Sequence, residues 1–282
     1  MNALRRAAQA FADRHGSWPE RVVRAPGRVN LIGEHVDYQE GVVLPLAIDR
    51  DVVIALAQRD DGRVEATSES EVEPASLAVA PVGEPVDGWA RYLQGVAWAL
   101  ADHGLRPRGF DAVIASDLPT GAGLSSSAAL ELAAAVAFLP DADLRPDAAT
   151  LARLAQRAEV EWVGTSCGIM DQLVCAAGLA GHLLRIDCRT LAVAPVPLPD
   201  DLAVLVLDTG TRRGLVDSEY NARRADTERA AHALGLTALR DADTRTLAAA
   251  DLPAETRARA HHVITEIARV ERTVAALRAA TM

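Results

Sequence analysis

The sequence predicts an α+β fold. Strand-like and helix-like segments follow one another irregularly, without the steady β-α-β alternation of a doubly wound parallel sheet. Half of the 282 residues are apolar and 24% are charged, the profile of a globular protein with core enough for one large domain or two modest ones. A turn signal, Asp60-Asp61-Gly62, stands between two strand-like runs and points to a hairpin.

Taken in order, residues 2–14 read as a short amphipathic helix. Strand-like runs cover 24–31, 41–48 and 51–58, and 63–67 is expected to return as the hairpin partner of 51–58. Acids and prolines make 69–86 a loop with short strand pieces. Trp89, Leu93, Val96, Ala97 and Leu100 fall at helical spacing and predict a helix over 89–103, closed by Gly104. Residues 110–115 alternate as a strand and lead through a loop at 117–124 into a helix over 125–138. Further helices are expected at 148–163 and after Asp171, and strands at 181–187 and 202–207. Two last helices cover 218–234 and 253–279, the second opening with Pro253 near its first position. The Pro-rich stretch 194–201 is the candidate boundary, giving domains 1–193 and 194–282.

A net charge of −10 argues against a general nucleic-acid binder, which needs a basic face for phosphates. Cys167, Cys175 and Cys188 have no metal-ligand spacing and leave an odd thiol, which suits a reducing cytoplasm. The first residues lack the apolar core of a signal peptide. The most apolar stretch, 128–139, is interrupted by Glu131 and too short to span a bilayer. Lysine is absent. Any phosphate clamp must therefore come from arginine, backbone N–H groups and metal.

Three constellations carry chemistry. In Leu118-Pro119-Thr120-Gly121-Ala122-Gly123-Leu124-Ser125-Ser126-Ser127, the glycines let backbone approach a ligand. The serines sit at a helix start, where free N–H groups favour an anion. The Gly-Lys-Ser/Thr ending of a Walker A loop is missing, and a plain glycine turn with a serine cap competes. Arg24-Ala25-Pro26-Gly27-Arg28-Val29-Asn30-Leu31-Ile32-Gly33-Glu34-His35-Val36-Asp37-Tyr38 crowds polar groups beside an apolar strand. Carboxylates there suit sugar hydroxyls, each a donor and an acceptor, although Glu34 and Asp37 could also solvate a turn. Glu159, followed by Cys167-Gly168-Ile169-Met170-Asp171-Gln172, offers acids as base or metal ligand, with an ordinary helix cap as the competing reading of Asp171. The histidines 103, 182, 232, 261 and 262 show no partner pattern.

In this order the motifs resemble the galactokinase family of the GHMP small-molecule kinase superfamily. The run from Gly27 to Ile48 is similar to the family signature G-R-x-N-L-I-G-E-H-x-D-Y with its V-L-P-x-A-I strand. The serine loop is similar to the motif shared superfamily-wide. Ile186-Asp187-Cys188-Arg189, Arg212-Arg213-Gly214-Leu215 and Ser218-Glu219-Tyr220-Asn221-Ala222-Arg223-Arg224 extend the likeness over essentially the whole chain.

The resemblance implies a two-domain fold with mixed or antiparallel sheets and the active site between domains. It implies transfer of the ATP γ-phosphoryl group to the C1 hydroxyl of galactose. The implied sugar-binding residues are Glu34, His35, Val36, Asp37, Asp171 and Tyr220. The implied ATP-binding residues are Gly121, Ala122, Gly123, Leu124, Ser125, Ser126 and Ser127, with Ser68 as a further contact. Ser127 and Glu159 match Mg²⁺ ligands. Arg28 matches the arginine that stabilises the transition state, and Asp171 the group that accepts the C1 proton or orients the hydroxyl. Phosphoryl transfer depends on positioning and charge neutralisation, which these groups supply. A cytoplasmic monomer acting on galactose and ATP is expected, with no nucleic-acid or membrane partner.

Rival readings are a non-catalytic galactose- and ATP-binding regulator, and a kinase for a related sugar such as N-acetylgalactosamine. Val36, Gln39 and Glu40 stand where the family usually carries Thr, Asn and Gly. The family also continues past the helix ending here, into a third glycine-rich motif. The chain is therefore expected to be C-terminally truncated, with an incomplete C-terminal domain, reduced stability and much reduced activity. Its last helix is expected to expose Val263, Ile267, Val270 and Val274.

Overall fold

A computed structural model describes residues 2–80, 82–119, 121–208, 210 and 217–280. The chain forms two compact units, Met1–Arg28 with Ile48–Cys167 and Asp171–Ala177, and Val29–Ala47 with Gly168–Met170 and Gly178–Met282. Each unit is discontinuous in sequence.

The first unit is built on a five-stranded mixed sheet. Its strands are β1 (Arg21–Asn30), β3 (Pro45–Arg59), β4 (Arg63–Ser68), β5 (Ala75–Ala78) and β6 (Gly109–Ser116), in the order β1-β3-β6-β4-β5. The expected hairpin of 51–58 with 63–67 does not form. Instead β6 lies between them, antiparallel to β3 and parallel to β4. The reason lies in β6 itself, where Phe110 and Ala112 to Ala115 are all buried. A strand apolar on both faces takes a central position, and the more polar β4 is displaced outward.

Helix α1 (Ala3–His15) starts from Asn2, whose side chain accepts from Arg5 N–H, and stops at Gly16 in the left-handed region. Its buried Ala3, Ala7 and Phe11 share one face and close a cluster with Val53, Ala55, Val113 and Ala115, as the four-residue spacing requires. Helices α2 (Ala90–Asp102), α3 (Ser126–Phe138) and α4 (Ala148–Arg157) complete the layer. The helix expected over 148–163 is not uniform, since Ala158–Val163 widens into a π-helical turn. Such turns often mark functional positions. Helix α5 (Met170–Ala177) carries Asp171 in its first turn, while Ile169 occupies the capping position. Asp171 is therefore not the helix cap.

The second unit holds a three-stranded antiparallel sheet of β2 (Val42–Val43), β7 (His182–Asp187) and β8 (Val193–Pro197), in that order. The Pro-rich stretch thus supplies an edge strand, the place where missing backbone N–H groups are tolerated. Residues 202–207 form no strand. Helices α6 (Asp217–Ala233), α7 (Thr244–Ala249) and α8 (Ala254–Ala280) follow. The expected exposure of α8 is overturned. Val263, Val270 and Val274 are buried, and Ile267 packs with Val270 and Val274 on Val42, Leu183 and Val196 of this sheet and on the adjoining Leu44. No helix among the described residues is long and apolar enough to cross a membrane.

Candidate active site

The first unit gathers Arg28, Asp171 and the serine-rich turn. From β1, Arg28 Nε and Nη2 both donate to Asp171 Oδ1, at 2.8 and 2.5 Å. Its Nη1 donates to the Gly123 carbonyl at 2.7 Å. The other carboxylate oxygen, Asp171 Oδ2, accepts from Ser125 Oγ at 2.6 Å. Charge-assisted bonds of this length are strong and directional. The Arg28 side chain is 12% exposed and that of Asp171 29%, so the pair is partly shielded while the carboxylate keeps a solvent-facing side.

Local backbone explains the convergence. Gly121, Gly123 and Ser125 all have positive φ, at 72°, 75° and 59°. Ser125 stands at the start of α3 yet makes no side-chain capping bond, and its hydroxyl goes to Asp171 instead. A non-glycine residue in this region costs on the order of 1 kcal/mol or more, and such strain collects at functional sites. Strand β1 runs close against the loop, since a Cβ at Gly27 would lie 2.4 Å from Leu118 Cδ2 and 2.7 Å from the Leu124 carbonyl. Arg28 N–H also donates to that carbonyl, at 3.2 Å.

Beside this turn lies a cavity of about 210 Å³ whose lining includes Ser68, Ser126, Ser127, Trp89, Tyr92 and Leu130. It brings Ser68 to the same place as the serine turn. Trp89 and Tyr92 fall in the segment whose spacing predicts a helix. Nothing in their spacing distinguishes an aromatic on a cavity wall from one in the core.

Behind the turn is a buried acid cluster. The π-helical turn carries Glu159, 6% exposed, whose charged form the neighbouring Ser127 and Cys167 side chains favour. Gln172 Nε2 donates to Glu159 Oε2 at 2.6 Å and to Glu131 Oε2 at 3.3 Å. Glu131 has no exposed surface, and its Oε1 has no hydrogen-bond partner among the described atoms. Burial, then the charge of Glu159, pushes the Glu131 carboxyl well above its usual range. Burial, then Asp171, pushes Glu159 up as well. Glu131 and Gln172 escaped notice as site residues, although an acid within the alanine-rich stretch 128–137 is itself a signal.

Apart from Asp171, the sugar-site candidates lie in the second unit. Glu34 Oε1 accepts from Asn30 Nδ2 at 2.9 Å, and its carbonyl bonds His262 Nε2 at 2.8 Å. His35 has φ +60°, and its ring lies 5.6 Å from that of Tyr220, between centroids. Tyr38 is edge-on to Tyr220 at 5.5 Å and bonds His35 Nδ1 through its hydroxyl at 3.2 Å. Burial, then the Asp37 charge, raises the Tyr38 phenol, so it remains protonated. Asp37 rests directly on Gly168, where a Cβ would fall 1.7 Å from its Oδ2. Val36 is fully buried, so its side chain belongs to the core under the loop. The run Arg212-Arg213-Gly214-Leu215 lies outside the described residues.

Two family models match the chain. They are the galactokinase galactose-binding signature at residues 9–58 and the GHMP kinases N terminal domain at residues 91–179. A galactokinase from Roseiflexus sp. (strain RS-1) is 44% identical over 278 residues, covering 96% of this chain and 71% of the relative. The chain belongs to the galactokinase family. A second galactokinase, from Chloroflexus aggregans, is 44% identical over 275 residues, with 95% and 70% of the two chains covered. The crystal structure of Lactococcus lactis galactokinase complexed with galactose matches this galactokinase-family chain with a TM-score of 0.86 and 29% identity, covering 97% of this chain and 74% of that one. Methanococcus jannaschii mevalonate kinase, at TM-score 0.55 and 15% identity, shares the fold alone. As a galactokinase-family member the chain is a sugar kinase that draws on ATP, and it spans about 70% of the length of the curated relatives.

Proposed function

We propose that this chain transfers the γ-phosphoryl group of ATP to the C1 hydroxyl of D-galactose, giving galactose 1-phosphate and ADP. The observation that carries the proposal is the Arg28 fork on Asp171 Oδ1, with Ser125 on Oδ2. That arrangement fixes a carboxylate and a cation within reach of one phosphate-binding turn. In this reading Asp171 accepts or orients the C1 proton, and Arg28 neutralises charge on the phosphoryl oxygens in flight. Glu34, His35, Asp37 and Tyr220 hold the sugar hydroxyls, with Val36 supporting the loop from beneath. The turn from Gly121 to Ser127 (Gly121, Ala122, Gly123, Leu124, Ser125, Ser126, Ser127) and Ser68 hold the nucleotide, with Trp89 and Tyr92 on the cavity wall.

Ser127 and Glu159 are proposed to hold Mg²⁺. Their donor set fits, because a hydroxyl and a carboxylate are hard oxygens, and Ser127 is close enough to favour the charged form of Glu159. No group of three or more His, Cys, Asp or Glu among the described residues could hold a metal alone. Mg²⁺ commonly takes one or two protein oxygens and completes its shell with phosphates and water. When bound, it supplies further charge neutralisation at the phosphates. A cytoplasmic monomer is part of the proposal, supported in location by three free cysteines.

The test is ADP release with a panel of galactose, N-acetylgalactosamine and arabinose. Galactose-dependent turnover that Asp171→Asn abolishes is the expected result. Binding of galactose and ATP without turnover in the unaltered chain would select the regulator instead.

A further inference from the structure

The loop holding Glu34 to Asp37 is followed by a single 3₁₀ turn, Asp37–Gln39, and by Glu40 at φ +56°. What keeps this short, polar segment in one conformation is a second segment two hundred residues later. Gln39, 2% exposed, accepts from Leu239 N–H through Oε1 at 2.9 Å. Arg240 Nη1 donates to the Glu40 carbonyl at 2.9 Å. The same guanidinium forks onto Asp187, Nη1 to Oδ1 at 2.7 Å and Nη2 to Oδ2 at 2.6 Å. Asp187 is fixed in turn by the N–H groups of Arg189 and Thr190, both at 3.0 Å. Arg189 closes the ring, donating from Nε to Glu40 Oε2 at 2.5 Å and from Nη1 and Nη2 to Asp241 at 3.0 and 2.6 Å.

We propose that Arg240, anchored on Asp187, is a positioning residue for sugar binding: it locks the turn at residues 37–40 and thereby sets where Asp37 presents its carboxylate. The chemistry favours arginine here. One planar fork satisfies a carboxylate and a backbone carbonyl together, which a lysine ammonium does not reproduce. Gln39 and Glu40 reinforce the lock. Gln39 reaches Leu239, and Glu40 reaches Arg189, each through its side chain. Arg240 touches no reacting atom. Its effect passes through the backbone between Glu40 and Asp37.

This inference rests on the reading of Asp37 as a galactose ligand, and the experiment separates the two. Steady-state kinetics with each substrate varied, galactose binding by calorimetry and thermal unfolding are measured for Arg240→Ala, Arg240→Lys, Arg189→Ala and Asp37→Ala. Arg240→Ala and Arg240→Lys are expected to raise the galactose KM and Kd about tenfold, with kcat and the ATP KM changed less than about twofold. Arg189→Ala, on the more exposed arm, is expected to raise the galactose KM about threefold at little cost in folding. It provides the readout if Arg240→Ala does not fold. Lower melting temperature and lower kcat with an unchanged galactose KM would reduce Arg240 to a scaffold role and overturn the inference. An effect of Asp37→Ala without one of Arg240→Lys or Arg189→Ala would overturn it alone. No effect of Asp37→Ala would overturn the sugar-loop reading and this inference with it.

Discussion

Arg28 and Asp171, 143 residues apart in sequence, meet through two nitrogens on one oxygen, at 2.8 and 2.5 Å. The geometry leaves Asp171 Oδ2 to Ser125 and makes the cation and the carboxylate a single unit. Any substitution of one should therefore be felt by the other.

Arg28→Lys keeps the charge and loses the fork. It is expected to lower kcat by about two orders of magnitude, as removal of one preorganised donor does, with the galactose Kd changed less than about threefold. Asp171→Asn should be at least as costly to kcat. A coupled assay of ADP release, beside calorimetric binding, checks both.

Gly27→Ala tests the contact of β1 with the serine loop. Its Cβ would meet the Leu124 carbonyl at 2.7 Å, a backbone atom that moves only with the loop. The expected cost is about 1–3 kcal/mol of stability, read from denaturant unfolding, together with a fall in kcat as Ser125 is displaced.

Gly168→Ala should behave in the opposite way. Its Cβ would strike the Asp37 carboxylate, the end of a side chain that can turn aside. Stability is expected to fall by less than about 1 kcal/mol, while the galactose KM rises about tenfold or more. Equal and large losses in both quantities would contradict the role given to Asp37.

Glu131 sets a pH dependence. Burial raises its folded-state pKa well above the usual carboxylate range, so the folded protein holds a proton that the unfolded chain has released. Stability from this group is complete below the ordinary carboxylate range and declines as pH rises from there towards the raised value. Glu131→Gln, neutral at every pH, should abolish that decline and match or exceed the unaltered chain near neutrality. Melting temperature measured from pH 4 to pH 8 decides it; a steeper decline in the variant would sink the idea.

Much of the candidate site was legible because its signals are local. Gly121, Gly123 and the serines announce a turn at a helix start, and the polar crowd from Arg28 to Asp37 is visible beside its strand. Other features depend on partners that no short window contains. The turn at Asp60-Asp61-Gly62 reads as a hairpin until β6, buried on both faces, takes the place between its arms. Glu131 reads as an interruption of an apolar helix until Gln172 and Glu159 surround it. The apolar residues of α8 read as exposed until Val42, Leu44 and Leu183 are seen beneath them.

The sequence by itself determined which chemical groups this protein possesses, the order of most of its helices and strands, and the family it resembles, because composition, periodicity and turn chemistry are properties of neighbouring residues. Tertiary structure alone decided that Arg28 grips Asp171, that Ser125 leaves its cap for the same carboxylate, and that Arg240 reaches back to the turn at residues 37–40. Those pairings rest on distances across folded backbone, and a linear chain carries no record of distance between residues that are far apart along it.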